Sequence, residues 1–157
     1  MSIWKRYEGQ GLPSLITTNV AARIPLFQST AAAQLLLQVI GEVGQETRFK
    51  LFAFAIMPEH LHLVLALPEG QSMGRAMQLI KGRFSARYHR LVGGSGQVWQ
   101  GRYHERVLRN ERELMAAIEY VHNNPVKAGL ASQVEAFSWS SAHPERGSDL
   151  SSYLDSG

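Results

Sequence analysis

Two apolar runs decide the fold: Arg48-Phe-Lys-Leu-Phe-Ala-Phe-Ala-Ile-Met57 and Leu61-His-Leu-Val-Leu-Ala-Leu67, separated by Pro58-Glu59-His60. Runs of this length joined by so tight a connection read as two antiparallel strands. The second run also sets its own faces, because side chains alternate along a strand. Leu61, Leu63, Leu65 and Leu67 form one unbroken row, the face that must lie under helices. His60, His62, Val64 and Ala66 occupy the other. The two imidazoles therefore share a face, project away from the main core, and could converge on one ion.

Working outward, Leu15-Ile-Thr-Thr-Asn-Val20 is short and β-branched, a further strand. From Ser29 to about Val43, Leu36, Val39, Ile40 and Val43 recur at helical spacing, with Gly44 as the stop. Ser72 caps a second helix whose apolar stripe is Met73, Ala76 or Met77, Ile80, Phe84 and Tyr88, while Arg83, Arg87 and Arg90 fall on another face. Gly93-Gly-Ser-Gly96 is a loop, and a strand lies around Tyr103–Leu108. Asn110 with Glu113 resembles a capping box for a third helix carrying Leu114, Ala117, Ile118 and Val121. Pro125 ends it and Gly129 opens a polar tail. The order is strand, helix, strand pair, helix, strand, helix. It implies an α+β fold, an antiparallel sheet with helices packed on one face, in a single domain over residues 1–140. The opening dozen residues read as a loose lead-in and residues 141–157 as a flexible tail.

The chain has 157 residues and no cysteine, which excludes a disulfide scaffold and any Cys-ligated metal centre. No apolar run reaches membrane-spanning length, and the N-terminus lacks a signal-like core, so a cytoplasmic protein without a membrane partner is expected. Charge is segregated along the chain. Residues 72–112 hold nine Lys/Arg against Glu105 and Glu111, while the flanking segments are neutral or acidic. A concentrated basic middle points to a polyanion, nucleic acid first; a solvated helix face is the plainer alternative.

A His-x-His pair is an incomplete metal site and needs a third ligand and a reacting group. The third helix offers both. Tyr120 lies at the edge of the apolar stripe, and Asn124, four residues on, shares its face. A phenol becomes a useful nucleophile only with a metal or base to assist; a buried ring with a wet hydroxyl is the structural alternative. Tyr88 falls on the packing stripe, and Tyr103 either stacks on a base or fills the sheet face.

Met57-Pro-Glu-His-Leu-His-Leu-Val-Leu65, Val98-Trp-Gln-Gly-Arg-Tyr103 and Tyr120-Val-His-Asn-Asn-Pro-Val-Lys-Ala-Gly-Leu130 together resemble the single-tyrosine HUH transposases. The resemblance is to the REP-associated tyrosine transposases, relatives of the transposase of insertion sequence 200, and it covers about residues 12–140. It implies a sheet of ferredoxin or RNA-recognition type. It makes His60 and His62 ligands of magnesium or manganese, with Asn124 as the third, and Tyr120 the nucleophile that forms a 5′-phosphotyrosine on single-stranded DNA beside a hairpin. Arg83, Arg87, Arg90, Arg102 and Arg106 would hold the backbone or the hairpin stem, and Trp99 or Tyr103 would stack on an unpaired base. Two positions depart from the family. Glu59 stands where relatives have Asn, either orienting His60 or adding an oxygen ligand. Pro125 disfavours the helical conformation of Asn124, which leaves His122 or His104 as substitutes. Monomer and homodimer both remain compatible. A hairpin-DNA-binding protein without required catalysis, and a metal-dependent hydrolase of a small phosphorylated substrate, are the competing functions.

Overall fold

In the computed structural model, which describes residues 11–147, four antiparallel strands form one sheet: β1 (Ser14–Val20), β2 (Lys50–Met57), β3 (His60–Ala66) and β4 (Trp99–Val107). Their order is β2-β3-β1-β4. Helix α1 (Thr30–Thr47) carries the chain from β1 to β2, and α2 (Met73–Val92) from β3 to β4. These are two interleaved β-α-β units, the ferredoxin-like arrangement. Helix α3 (Glu111–Lys127) follows β4. The α+β, single-domain architecture expected from the sequence is the one found.

The leucine row of β3 does face helices. Leu61, Leu63 and Leu65 are fully buried with Phe54, Ile56 and Ile16 beneath Leu36, Val39 and Ile40 of α1 and Ile80 and Phe84 of α2. Each such side chain contributes about 1.5–3 kcal/mol through burial. The helices are not all on one face, however. Leu114, Ala117, Ile118 and Val121 of α3 pack on the opposite side, against Phe52, Ala53, Ala55, Met57, Val64 and Ala66. Ala53, Ala55, Val64 and Ala66 on that face are small, which leaves room for the helix between Phe52 and Met57. It also means that His60 and His62 lie under a helix rather than in the open.

Boundaries differ from the sequence reading in three places, each with a local cause. Helix α1 runs through Gly44 to Thr47, and a Cβ on Gly44 would meet the Phe49 ring at 2.7 Å, so the glycine serves close packing rather than termination. The helix ends instead at Arg48, which takes a left-handed conformation. Strand β4 begins at Trp99, four residues before Tyr103, because Trp99 is drawn into the core beside Phe27 and Phe84. Pro125 lies inside α3, which continues to Lys127 before Gly129 turns the chain with φ +76°.

Ser72 and Asn110 cap their helices as read, and Ser29 caps α1 in the same way. Ser29 accepts from Ala32 N–H, Ser72 from Arg75 N–H, and Asn110 from Glu113 N–H, while the Glu113 carboxylate accepts in return from Arg109 N–H. Chain beyond α3 closes the outer edge of β2: Ile56 N–H donates to the Trp139 carbonyl and Ser141 N–H to the Phe54 carbonyl. The flexible tail expected from residue 141 thus starts in bonded chain. The remainder of that tail, from 148, and the expected lead-in through residue 10 lie outside the described residues. No helix among the described residues is long and apolar enough to cross a membrane.

Candidate active site

Strand alternation and sheet register bring the polar side chains of this site together. Thr17 on β1 stands opposite His62 on β3 and opposite His104 on β4, so one row crosses three strands. The Thr17 hydroxyl lies 2.9 Å from His62 Nδ1. His62 Nε2 faces His60 Nε2 at 3.0 Å, and His60 Nδ1 meets the Glu59 carboxylate at 2.7 Å. Each imidazole is thus held at Nδ1 by the protein, with both Nε2 atoms turned toward the same point.

The proton positions follow from the carboxylate end. An ionised Glu59 can only accept, so His60 donates from Nδ1 and its Nε2 carries a lone pair. His62 then donates from Nε2, and its Nδ1 accepts from the Thr17 hydroxyl. Burial holds both imidazoles neutral. His60 is 9% exposed and His62 3%. Desolvation pushes His62 down to about 4, helped by the repulsion a proton on His60 would exert and by the charge of Arg23. Desolvation also lowers His60, against the opposing pull of Glu59.

Helix α3 covers this pair. Tyr120 is 47% exposed, and its ring lies 5.5 Å, centroid to centroid, from that of His62, nearly edge-on. One turn on, the half-buried Asn124 side chain lies beside His60 and slightly offsets the lowering of its pKa. Pro125 does not displace it, since Asn124 remains helical and its carbonyl accepts from Ala128 N–H. A cleft beside Tyr120, of ≈ 310 Å³, opens toward β4 past Leu15, Thr17 and Arg106.

Two imidazoles with converging Nε2 atoms and a nearby amide oxygen make a coherent donor set for a divalent cation. His60, His62 and Asn124 are the residues that fit it. Among the described residues there is no cluster of three His, Cys, Asp or Glu. Glu59 sits on the far side of the His60 ring from His62 and orients that ring rather than joining the pair. His122 turns away to bond the Ser141 hydroxyl at 2.7 Å, while His104 is exposed on β4.

The expected DNA contacts divide. Arg102 and Arg106 are exposed on β4 and alternate onto the histidine face with His104. Arg90 is exposed in the last turn of α2. Arg83 and Arg87 are committed elsewhere: Arg87 grips Glu42 through two bonds of 2.8 Å, and Arg83 reaches both Glu42 and Glu46 on α1. These contacts hold both carboxyls below the usual carboxylate range. Trp99 is buried in the core, and the half-buried Tyr103 packs against that core on the α1–α2 side of the sheet, away from the histidine face. Sequence reasoning passed over Thr17, whose role appears only in the strand register, and Arg23, whose neighbours Asn19 and Glu59 come together only in the fold.

Fold and site together define an α+β domain in which a helix-borne tyrosine opposes a strand-borne histidine pair. The family described as "Transposase IS200 like" matches residues 15–124, and the chain belongs to that family, in its REP-associated branch. It is 31% identical over 144 residues to the REP-associated tyrosine transposase of Escherichia coli K12, covering 91% of this chain and 84% of that protein. A REP-associated tyrosine transposase solved bound to a REP hairpin superposes with a TM-score of 0.74 at 29% identity, over 85% of this chain and 78% of the other.

Proposed function

We propose that this protein cleaves and rejoins single-stranded DNA beside a hairpin, with Tyr120 as nucleophile and His60, His62 and Asn124 holding magnesium or manganese. The observation that carries this reading is the placement of the Tyr120 ring 5.5 Å from His62, on the face where both Nε2 atoms converge. The hairpin is drawn from the relative solved with one. The cation, when bound, polarises the phosphodiester and steadies the charge that develops on it.

The chain's own residues do the rest. Cation binding needs a lone pair on both Nε2 atoms, so His62 carries its proton on Nδ1 and the Thr17 hydroxyl rotates to accept it. Tyr120, exposed to solvent, gives its phenolic proton to water, and its oxygen bonds to phosphorus as the bond from phosphorus to the 3′ oxygen breaks. The leaving oxygen keeps the electron pair and is protonated by water in turn, giving a 3′-hydroxyl and a 5′-phosphotyrosine. Reversal by an incoming 3′-hydroxyl rejoins the strand, because the phosphotyrosine conserves the bond energy. Arg102 and Arg106 hold the backbone on the approach to Tyr120. The connection from β4 to α3 is only Leu108–Asn110, and it lays the tyrosine over its own chain's sheet, which supports action within one chain.

The test mixes the protein with a circular single-stranded phage genome and manganese, followed by a denaturing gel for protein-linked DNA. An adduct that disappears with Tyr120→Phe, with His62→Ala and with EDTA is the expected result. An adduct that persists with Tyr120→Phe overturns the assignment. Hairpin binding with no adduct on any hairpin substrate selects the binding-only alternative.

A further inference from the structure

The turn between β1 and α1 is built in an expensive way. Ala22 and Arg23 both adopt left-handed backbone conformations, φ +56° and +54°. Residues with a Cβ avoid this region, and two in succession persist only where the surroundings impose them. Here three backbone bonds impose them: Val20 N–H to the Glu59 carbonyl at 3.0 Å, Ala21 N–H to Val98 at 2.8 Å, and Phe27 N–H to Pro58 at 3.0 Å. The turn is thereby stapled to the β2–β3 connection, beside His60, and to the chain entering β4.

The result is a fixed cation at the rim of the histidine pair. Arg23 Nη1 donates to the Asn19 side chain at 2.8 Å, and Nη2 lies 3.4 Å from Glu59 Oε1. That same carboxylate oxygen accepts from His60 at 2.7 Å. Arg23 therefore shares a carboxylate already spoken for, uses two of its five N–H donors among the described residues, and stays 51% exposed. Arg83 and Arg87 provide the contrast, since each is matched to a carboxylate and pinned to α1. Ile24, next to Arg23, is an exposed apolar side chain.

We infer that the Arg23 guanidinium binds a phosphate of the DNA strand, with exposed Ile24 against the adjoining sugar or base. The inference rests on the single-stranded DNA reading above. A planar guanidinium with free donors, held in place before the ligand arrives, suits a phosphodiester and loses little freedom on binding it. Through Asn19, which also bonds Gln100 at 3.3 Å, Arg23 stands at the same end of the sheet as Arg102, with Arg106 farther along β4, so the three cations border one stretch of the histidine face.

The experiment measures binding of a fluorescein-labelled, mixed-sequence single-stranded oligonucleotide by anisotropy, in EDTA and across a salt titration. Wild type is compared with Arg23→Ala, Arg23→Lys and Arg23→Gly, and manganese affinity and melting temperature are recorded for each. Arg23→Ala weakens binding about tenfold and lowers the salt slope by about one. Arg23→Lys keeps the slope and falls between. Arg23→Gly, which accepts the left-handed backbone at no cost, melts higher than wild type yet binds DNA as poorly as Arg23→Ala. Manganese affinity does not fall in any variant, since losing a positive charge beside the histidine pair favours a cation there, as expected of a group whose role is to contact the strand. Unchanged affinity and slope in Arg23→Ala and Arg23→Gly overturn the inference. So does a manganese affinity that falls in step with DNA affinity, which would make Arg23 a positioning residue for Glu59 and His60. A wild-type protein with no salt-dependent DNA binding defeats the DNA reading itself, and this inference with it.

Discussion

The two faces of strand β3 differ in what they leave unfinished. Toward α1 and α2, Leu61, Leu63 and Leu65 are enclosed by aliphatic and aromatic side chains, and the arginines above that layer are neutralised by Glu42 and Glu46. Toward α3, the residues between those leucines meet Thr17, Glu59, Tyr120 and Asn124, and the nearby cations Arg23, Arg102 and Arg106 remain exposed. One face spends its charges on itself. The other keeps a phenol and several guanidinium groups within reach of solvent, over a buried imidazole pair. A single strand thus serves as core and as reaction surface, one residue apart.

The sharpest way to break this contrast is to remove one atom from the open face. Tyr120→Phe should reduce covalent adduct formation by at least about 10³-fold with an unchanged melting temperature, since the hydroxyl belongs to an exposed residue. A melting point that drops with the adduct would assign Tyr120 to the packing instead. On the closed face, Leu63→Ala should cost about 2–5 kcal/mol in urea denaturation, because its side chain is fully buried. A cost near zero would show that α1 and α2 do not seal that side.

Acid gives a third handle. The folded protein holds His62 near 4 against 6.5 for the unfolded chain, so the unfolded state binds more protons between those values. Stability is therefore complete above about pH 6.5 and declines as pH falls toward 4, by a loss on the order of 3 kcal/mol for this group. Denaturation in EDTA at stepped pH measures it, and His62→Ala should flatten the profile. An equally steep profile in His62→Ala would place the burial cost elsewhere. The smallest effect separates the arginines. Arg106→Ala should weaken single-stranded DNA binding about three- to tenfold, whereas Arg83→Ala and Arg87→Ala leave it within about twofold. Equal losses for all three would erase the distinction drawn from their ion pairs.

Much of this was legible from residue order alone. The alternation of leucine and histidine through 60–67 assigned both faces of β3 correctly, and Ser72 and the Asn110–Glu113 pair marked helix starts. What escaped has a common physical origin in contacts between distant positions. Gly44 reads as a stop until Phe49 is seen against it. Arg83 and Arg87 read as a free basic stripe because Glu42 and Glu46 lie some forty residues earlier and meet them only when α1 and α2 pack. Trp99 reads as a stacking platform until Phe27 and Phe84 enclose it. Even α3 was placed on the wrong side of the sheet, since a face carrying two histidines among small residues looks open until Leu114 and Val121 are found over it.

The two margins of the sheet carry a last consequence. Chain around Trp139–Ser141 occupies the outer hydrogen-bonding groups of β2 at Phe54 and Ile56, while β4 ends the sheet among the described residues. A sheet with one margin sealed can extend in a single direction only. Two copies meeting margin to margin through β4 would form a closed two-fold pair with no strand left to recruit a third, so this architecture resists growth into open-ended ribbons.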